Sequence, residues 1–133
     1  MKTLLFRVFS SVIILVILVF VCVFEDKVVS TSFDKVSNYC ISIEEEIEKN
    51  GEILNGNIAF LVDNLEYFWK KQENVLCYMT NHKSIEGIGL EIVRLKNYIK
   101  FDEETEFHVS LKMIEHYTEV YQHFLGANFH NLF

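Results

Sequence analysis

The chain has 133 residues, half of them apolar, no proline at all, and a formal net charge of −7. That length holds one modest domain, and so acidic a body repels phosphate backbones and anionic lipid headgroups, which argues against nucleic-acid binding. The missing proline argues against an all-β domain, whose turns draw on it, and suits long helices.

The chain begins with its most apolar part. Val8–Phe24 is seventeen residues without a charge and with only two hydroxyls. Leu4, Leu5 and Phe6 extend it to about the twenty residues that span a bilayer as a helix. A cleaved secretory signal is the competing reading, since Lys2 and Arg7 supply its basic start. Its core is usually about 7–15 residues and ends at small residues. Here Glu25-Asp26-Lys27 follows instead, which favours an uncleaved anchor. Basic flanks stay cytoplasmic, so the expected protein is single-pass in the cell membrane, amino end inside and residues 25–133 outside. That external part carries all nineteen acidic residues against ten basic ones.

Beyond the anchor, apolar residues recur at helical spacing. Phe33, Val36, Tyr39, Cys40, Ile43 and Ile47 mark a first helix that continues from the membrane, whose Glu44–Glu46 run is a solvated face. Asn50-Gly51 is a stop, because both residues tolerate left-handed backbone angles, and Asn55-Gly56 repeats the signal. A second helix is predicted over Asn57–Met79, its stripe formed by Ile58, Leu61, Val62, Leu65, Phe68, Trp69, Leu76 and Met79. Gln72 is that stripe's one polar member. Thr80–Lys83 reads as a turn offering an N-cap. The third helix, Ser84–Lys100, carries Ile85, Ile88, Ile92, Leu95 and Ile99 on one face. Gly87 and Gly89 within it weaken the helix, and one of them marks a close helix approach. The fourth helix is predicted to start near Asp102, with acidic residues at its positive end. It should bury Val109, Met113, Tyr117, Val120, Tyr121 and Phe124, then fray after Gly126.

Short connections make successive helices antiparallel neighbours. The predicted fold is all-α: an amino-terminal transmembrane helix followed by a small antiparallel helical bundle or helix-pair stack. Residues 1–24 form the signal-anchor, 25–126 one extracytoplasmic domain, and 127–133 a frayed aromatic tail. Cys40 and Cys77 are candidates for a bridge outside the cell. In the antiparallel register they lie about eleven residues apart along the axis, roughly 16 Å at about 1.5 Å each. A disulfide needs Cα atoms within about 7 Å, so two buried free thiols are expected.

The stretches Leu65-Glu66-Tyr67-Phe68-Trp69-Lys70-Lys71, Asn81-His82-Lys83-Ser84-Ile85 and Arg94-Leu95-Lys96-Asn97-Tyr98-Ile99, together with the anchor, resemble a family of short anchored helical proteins. That family, domain of unknown function 4363, comes from Gram-positive spore-formers. The resemblance implies topology and an α-helical fold, and no reaction. The aromatic tail Phe124–Phe133 departs from the family pattern.

Chemistry-bearing constellations are few. His108, His116, Glu119 and His123 share one arc of the fourth helix with Lys112, which could make a metal-binding or pH-sensing face. His116 and His123 are about 10.5 Å apart along the axis, too far for one ion, and a solvated polar face accounts for the arc. No nucleophile triad, phosphate loop or CxxC spacing occurs, and no carboxylate falls in an apolar stripe where burial would raise its pKa. The chain therefore reads as non-enzymatic, with no catalytic residue, cofactor or metal. The leading function is a membrane-tethered interaction or structural domain of the cell envelope or a spore-associated membrane, bound to a protein partner. Its candidate interaction residues are Tyr67, Tyr98, Phe101, Phe129 and Phe133. The alternative is an extracytoplasmic ligand-sensing or solute-binding domain, with a pocket near Trp69 and His82.

Overall fold

A computed structural model describes the backbone of residues 2–130 and the side chains of residues 6–122. Its four helices are α1 (Lys2–Asn50), α2 (Gly56–Met79), α3 (His82–Phe101) and α4 (Glu104–His130), and no strand occurs among the described residues. α1 is unbroken over 49 residues, about 73 Å of rise. Its first half is long and apolar enough to cross a bilayer, and the most apolar stretch is covered by nothing else in the chain. The two hydroxyls there are satisfied inside the helix: Ser10 and Ser11 donate to the carbonyls of Phe6 and Arg7, each at 2.9 Å.

The second half of α1 becomes one wall of a bundle. Val29, Phe33, Val36, Cys40, Ile43 and Ile47 are all buried, at alternating spacings of four and three. The same alternation sets Ile58, Val62, Leu65 and Trp69 in α2, Ile85, Ile88, Ile92 and Leu95 in α3, and Phe107, Leu111, Ile114 and Thr118 in α4. A 3.5-residue repeat keeps each seam facing its neighbours, the packing of left-handed four-helix bundles. Each helix touches the next in sequence, and α4 closes the ring on α1. The result is up-down-up-down. Each fully buried aliphatic or aromatic side chain contributes about 1.5–3 kcal/mol.

The turns are built by local capping. Gly51 takes a φ of 71°, and its N–H donates to the Ile47 carbonyl at 2.8 Å, ending α1. Ile53 then plugs that end of the core. Asn55-Gly56, read as a second stop, instead starts α2: the Asn55 side chain accepts from the Asn57 N–H at 2.8 Å. Asn81 caps α3 in the same way, accepting from the Lys83 N–H at 3.0 Å. Asp102 belongs to the end of α3 rather than the start of α4, with a left-handed φ of 56°. α4 runs on past Gly126, where the periodicity suggested fraying, to His130.

Two expectations about burial are overturned. In α4 the inward face is Phe107, Ser110, Leu111, Ile114 and Thr118, while Val109 is 59% exposed and Met113 and Val120 also face solvent. The helix carries two apolar stripes about 200° apart at 100° per residue, and α1 and α3 bury the other one. Tyr117 and Tyr121 do pack against the core, as expected. The second correction concerns Glu91, a carboxylate that does lie on a buried face, only 6% exposed.

Polar networks pin the register of the ring. Lys96 of α3 bridges Asp63 and Glu66 of α2, both at 2.8 Å, and Glu66 also binds Lys70 at 2.6 Å. Those ammonium groups hold the Glu66 carboxyl below the usual carboxylate range. Lys112 of α4 joins Glu44 of α1 at 2.5 Å and Glu115 at 2.7 Å. Exposed pairs of this kind contribute little to stability, so their main effect is alignment.

Candidate functional site

Trp69 is built into the interior. It sits on the inner face of α2, 2% exposed, against the backbone of Gly89 in α3. A Cβ at Gly89 would come within 3.0 Å of the indole Nε1. Gly87 does the same for α4, where a Cβ would meet the Tyr117 ring at 3.2 Å. The two glycines, pointing to opposite sides of α3, each admit an aromatic from a neighbouring helix. The indole N–H is fully buried and has no acceptor. His82 is exposed at the first residue of α3, about 10.5 Å of rise away from Gly89. The fold therefore does not bring Trp69 and His82 into one pocket, and the capping role at that turn belongs to Asn81.

The other singled-out aromatics divide by face. Tyr67 and Phe101 are each 64% exposed, on the outer surfaces of α2 and α3. Tyr98 is half-buried and packs on the core. Phe133 and the side chain of Phe129 lie outside the described residues. The Lys96–Asp63 and Gly89–Trp69 contacts set the register of the α2/α3 pair. In that register Phe60 is level with Phe101, and Tyr67 with Val93. Phe60, Leu90 and Val93 are also exposed, so α2 and α3 present a joint outer face with five large apolar side chains. Sequence reasoning missed those three residues. The signal was present, since each lies on the far side of its helix from the regular buried stripe.

Between α3 and α4, Glu91 reaches inward from a groove lined by Arg94, Tyr98, Glu106, Val109 and Met113. Its carboxylate accepts from Arg94 Nη1 at 2.5 Å and from the Ser110 hydroxyl at 2.7 Å. Both oxygens are therefore satisfied, which is what lets a buried charge persist. This arrangement ties α3 to α4.

The histidine face of α4 points outward. His108 stands 3.9 Å from Glu104, His116 is exposed, and Lys112 on the same arc is held by Glu44 and Glu115. The side chain of His123 lies outside the described residues. Among the described residues no three His, Cys, Asp or Glu side chains converge as metal ligands.

Cys22, Cys40 and Cys77 are free. Phe68 packs near Tyr39 and Lys35, so α2 meets α1 in a register that sets Cys77 far below Cys40 along the axis. Burial, reinforced by the Glu115 and Glu44 carboxylates, pushes the Cys40 thiol up to about 12. A raised thiol pKa stabilises the fold below the ordinary thiol value and loses that contribution as pH rises toward 12. In the native protein at mildly alkaline pH, an alkylating reagent should modify the half-exposed Cys77 and spare Cys40 until denaturant is added. Peptide mass spectrometry checks this, and equal labelling of both thiols would contradict the buried site.

The described architecture defines a class: an all-α protein in which an up-down-up-down bundle grows out of a long apolar helix. The chain belongs to the family described as Domain of unknown function (DUF4363), which it matches over residues 23–132. No curated protein and no solved structure matches it.

Proposed function

We propose that this chain is a membrane-tethered, non-enzymatic interaction module of the cell envelope or a spore-associated membrane. Its bundle would stand outside the membrane and engage a protein partner through the α2/α3 face. The observation that carries the reading is the outer patch of Phe60, Tyr67, Leu90, Val93 and Phe101 on a bundle otherwise rich in surface charge. These side chains stand on either side of the Asp63–Lys96–Glu66 bridges; large exposed apolar groups on one face mark interaction surfaces, and aromatic residues are enriched at their centres. Tethering is supported by the apolar first half of α1, and orientation by Lys2 and Arg7 before it with Glu25 and Asp26 after it. The non-enzymatic reading is supported by the Glu66–Lys96, Glu44–Lys112 and Glu91–Ser110 contacts, which use those polar groups in helix-to-helix bridging.

A photo-crosslinking amino acid placed at Tyr67 in the full-length protein tests the reading in cells of the source organism. A discrete adduct is expected from position 67 and none from Glu45, which lies on the acidic outer face of α1. Equal adducts at both positions, or none from 67 while the protein remains folded, would overturn it.

A further inference from the structure

The geometry points to a binding site for the phosphate headgroup of an anionic phospholipid at the base of the bundle, in the groove between α1 and α2. This rests on the tethered reading above and goes beyond it. The groove holds about 440 Å³ and is lined by Phe24, Lys27, Thr31, Lys35, Phe68 and Gln72. On α1, Phe24, Thr31 and Lys35 fall within about 40° of one another, with Lys27 flanking them. The groove begins where the uncharged stretch ends, at Phe24. The headgroup layer adds about 5–8 Å on each side of the hydrocarbon core, or four to five helical residues. That places Lys27 inside the layer and Thr31, about 10.5 Å past Phe24, just beyond its outer edge.

Lys35 lies a further turn out and lines the same groove. Its ammonium stands 5.0 Å from the Phe68 ring centroid, on the groove wall. Neither Lys27 nor Lys35 has a carboxylate partner among the described residues, whereas Lys70, Lys96 and Lys112 do. Glu25 and Asp26 are turned by about 100° and 200° from Phe24 around the helix, away from the groove. This stretch beside the membrane surface therefore offers two cations without a carboxylate partner among the described residues, a hydroxyl and an amide on one side. Aromatic walls from Phe24 and Phe68 stand beside them. A phosphate between Lys27 and Lys35 with its acyl chains running down past Phe24 satisfies every part of it.

The test uses the detergent-purified full-length chain, with native mass spectrometry as the readout and phosphatidylglycerol or phosphatidylcholine as the added lipid. The expected result is preferential retention of phosphatidylglycerol, at about one per chain. Each basic residue near a membrane surface contributes about fivefold in affinity. The Lys27→Gln/Lys35→Gln double variant should therefore lose on the order of twentyfold. Lys49→Gln, at the far end of α1, should lose little. Equal retention of the two lipids, or a double variant that binds like wild type, would overturn the site. Displacement by millimolar inorganic phosphate would assign it to a free anion and overturn the lipid. Alkaline carbonate washing of wild-type membranes separates the two readings: release of the chain would sink the tether itself, and retention without lipid preference only this site.

Discussion

Trp69→Ala is expected to lower the melting temperature of the full-length, detergent-solubilised protein more than any surface change. The side chain is the largest in the core and touches both α2's own stripe and the Gly89 backbone of α3. Truncating a buried large aromatic costs about 3–5 kcal/mol through lost transfer energy and the cavity left behind. A domain of this size is held by only about 5–15 kcal/mol, so the variant should sit near its unfolding threshold at ambient temperature. Trp69→Phe should cost less, because it also removes a buried N–H that has no acceptor. His116→Ala, on the exposed arc of α4, should stay within about 0.5 kcal/mol of wild type. Thermal unfolding followed by far-ultraviolet circular dichroism separates these cases. Near-normal stability of Trp69→Ala with loss of a partner or ligand would make Trp69 a recognition residue and favour the sensing alternative.

The second large effect is expected at Phe33. Its ring is fully buried and stacks on Tyr121 of α4, with centroids 4.6 Å apart and planes 7° from parallel. Next to it, Asp34 accepts from the Gln122 side-chain amide at 2.7 Å, and the Tyr121 hydroxyl reaches the Asn81 carbonyl at 3.4 Å. These contacts are where α4 closes the ring on α1, just above the apolar half of the long helix. Phe33→Ala should cost about 3–5 kcal/mol, like other buried phenylalanines. Its signature should also be local. Hydrogen exchange along α4 around Tyr121 should rise more than exchange at the Ile53 end of the bundle, because the ring opens first where its closure is weakened. Uniform acceleration across all four helices would show instead that the bundle unfolds as one unit.

Much of the fold is legible from local pattern, because a helix that buries one stripe must repeat its apolar residues every three or four positions. The buried stripes of α1, α2 and α3 follow from that rule, as do the apolar run Val8–Phe24 and the stop at Asn50-Gly51. What local pattern does not decide is which of two eligible faces a partner covers. α4 carries Phe107, Leu111 and Ile114 on one side and Val109, Met113 and Val120 on the other. Only packing against α1 and α3 selects the first set.

The same limit applies to chemistry. Glu91 is tolerable in the interior only because Arg94, one turn on, and Ser110, on another helix, arrive together. No spacing within α3 announces Ser110. Gly87 and Gly89 look alike in sequence, yet each receives a different aromatic from a different helix, and that choice exists only once the ring is closed. The sequence by itself determined the elements, the apolar span and the acidity, since each depends on neighbours along the chain. The tertiary structure decided the α4 phase, the buried carboxylate and the joint α2/α3 face, since each depends on residues from two helices meeting in space.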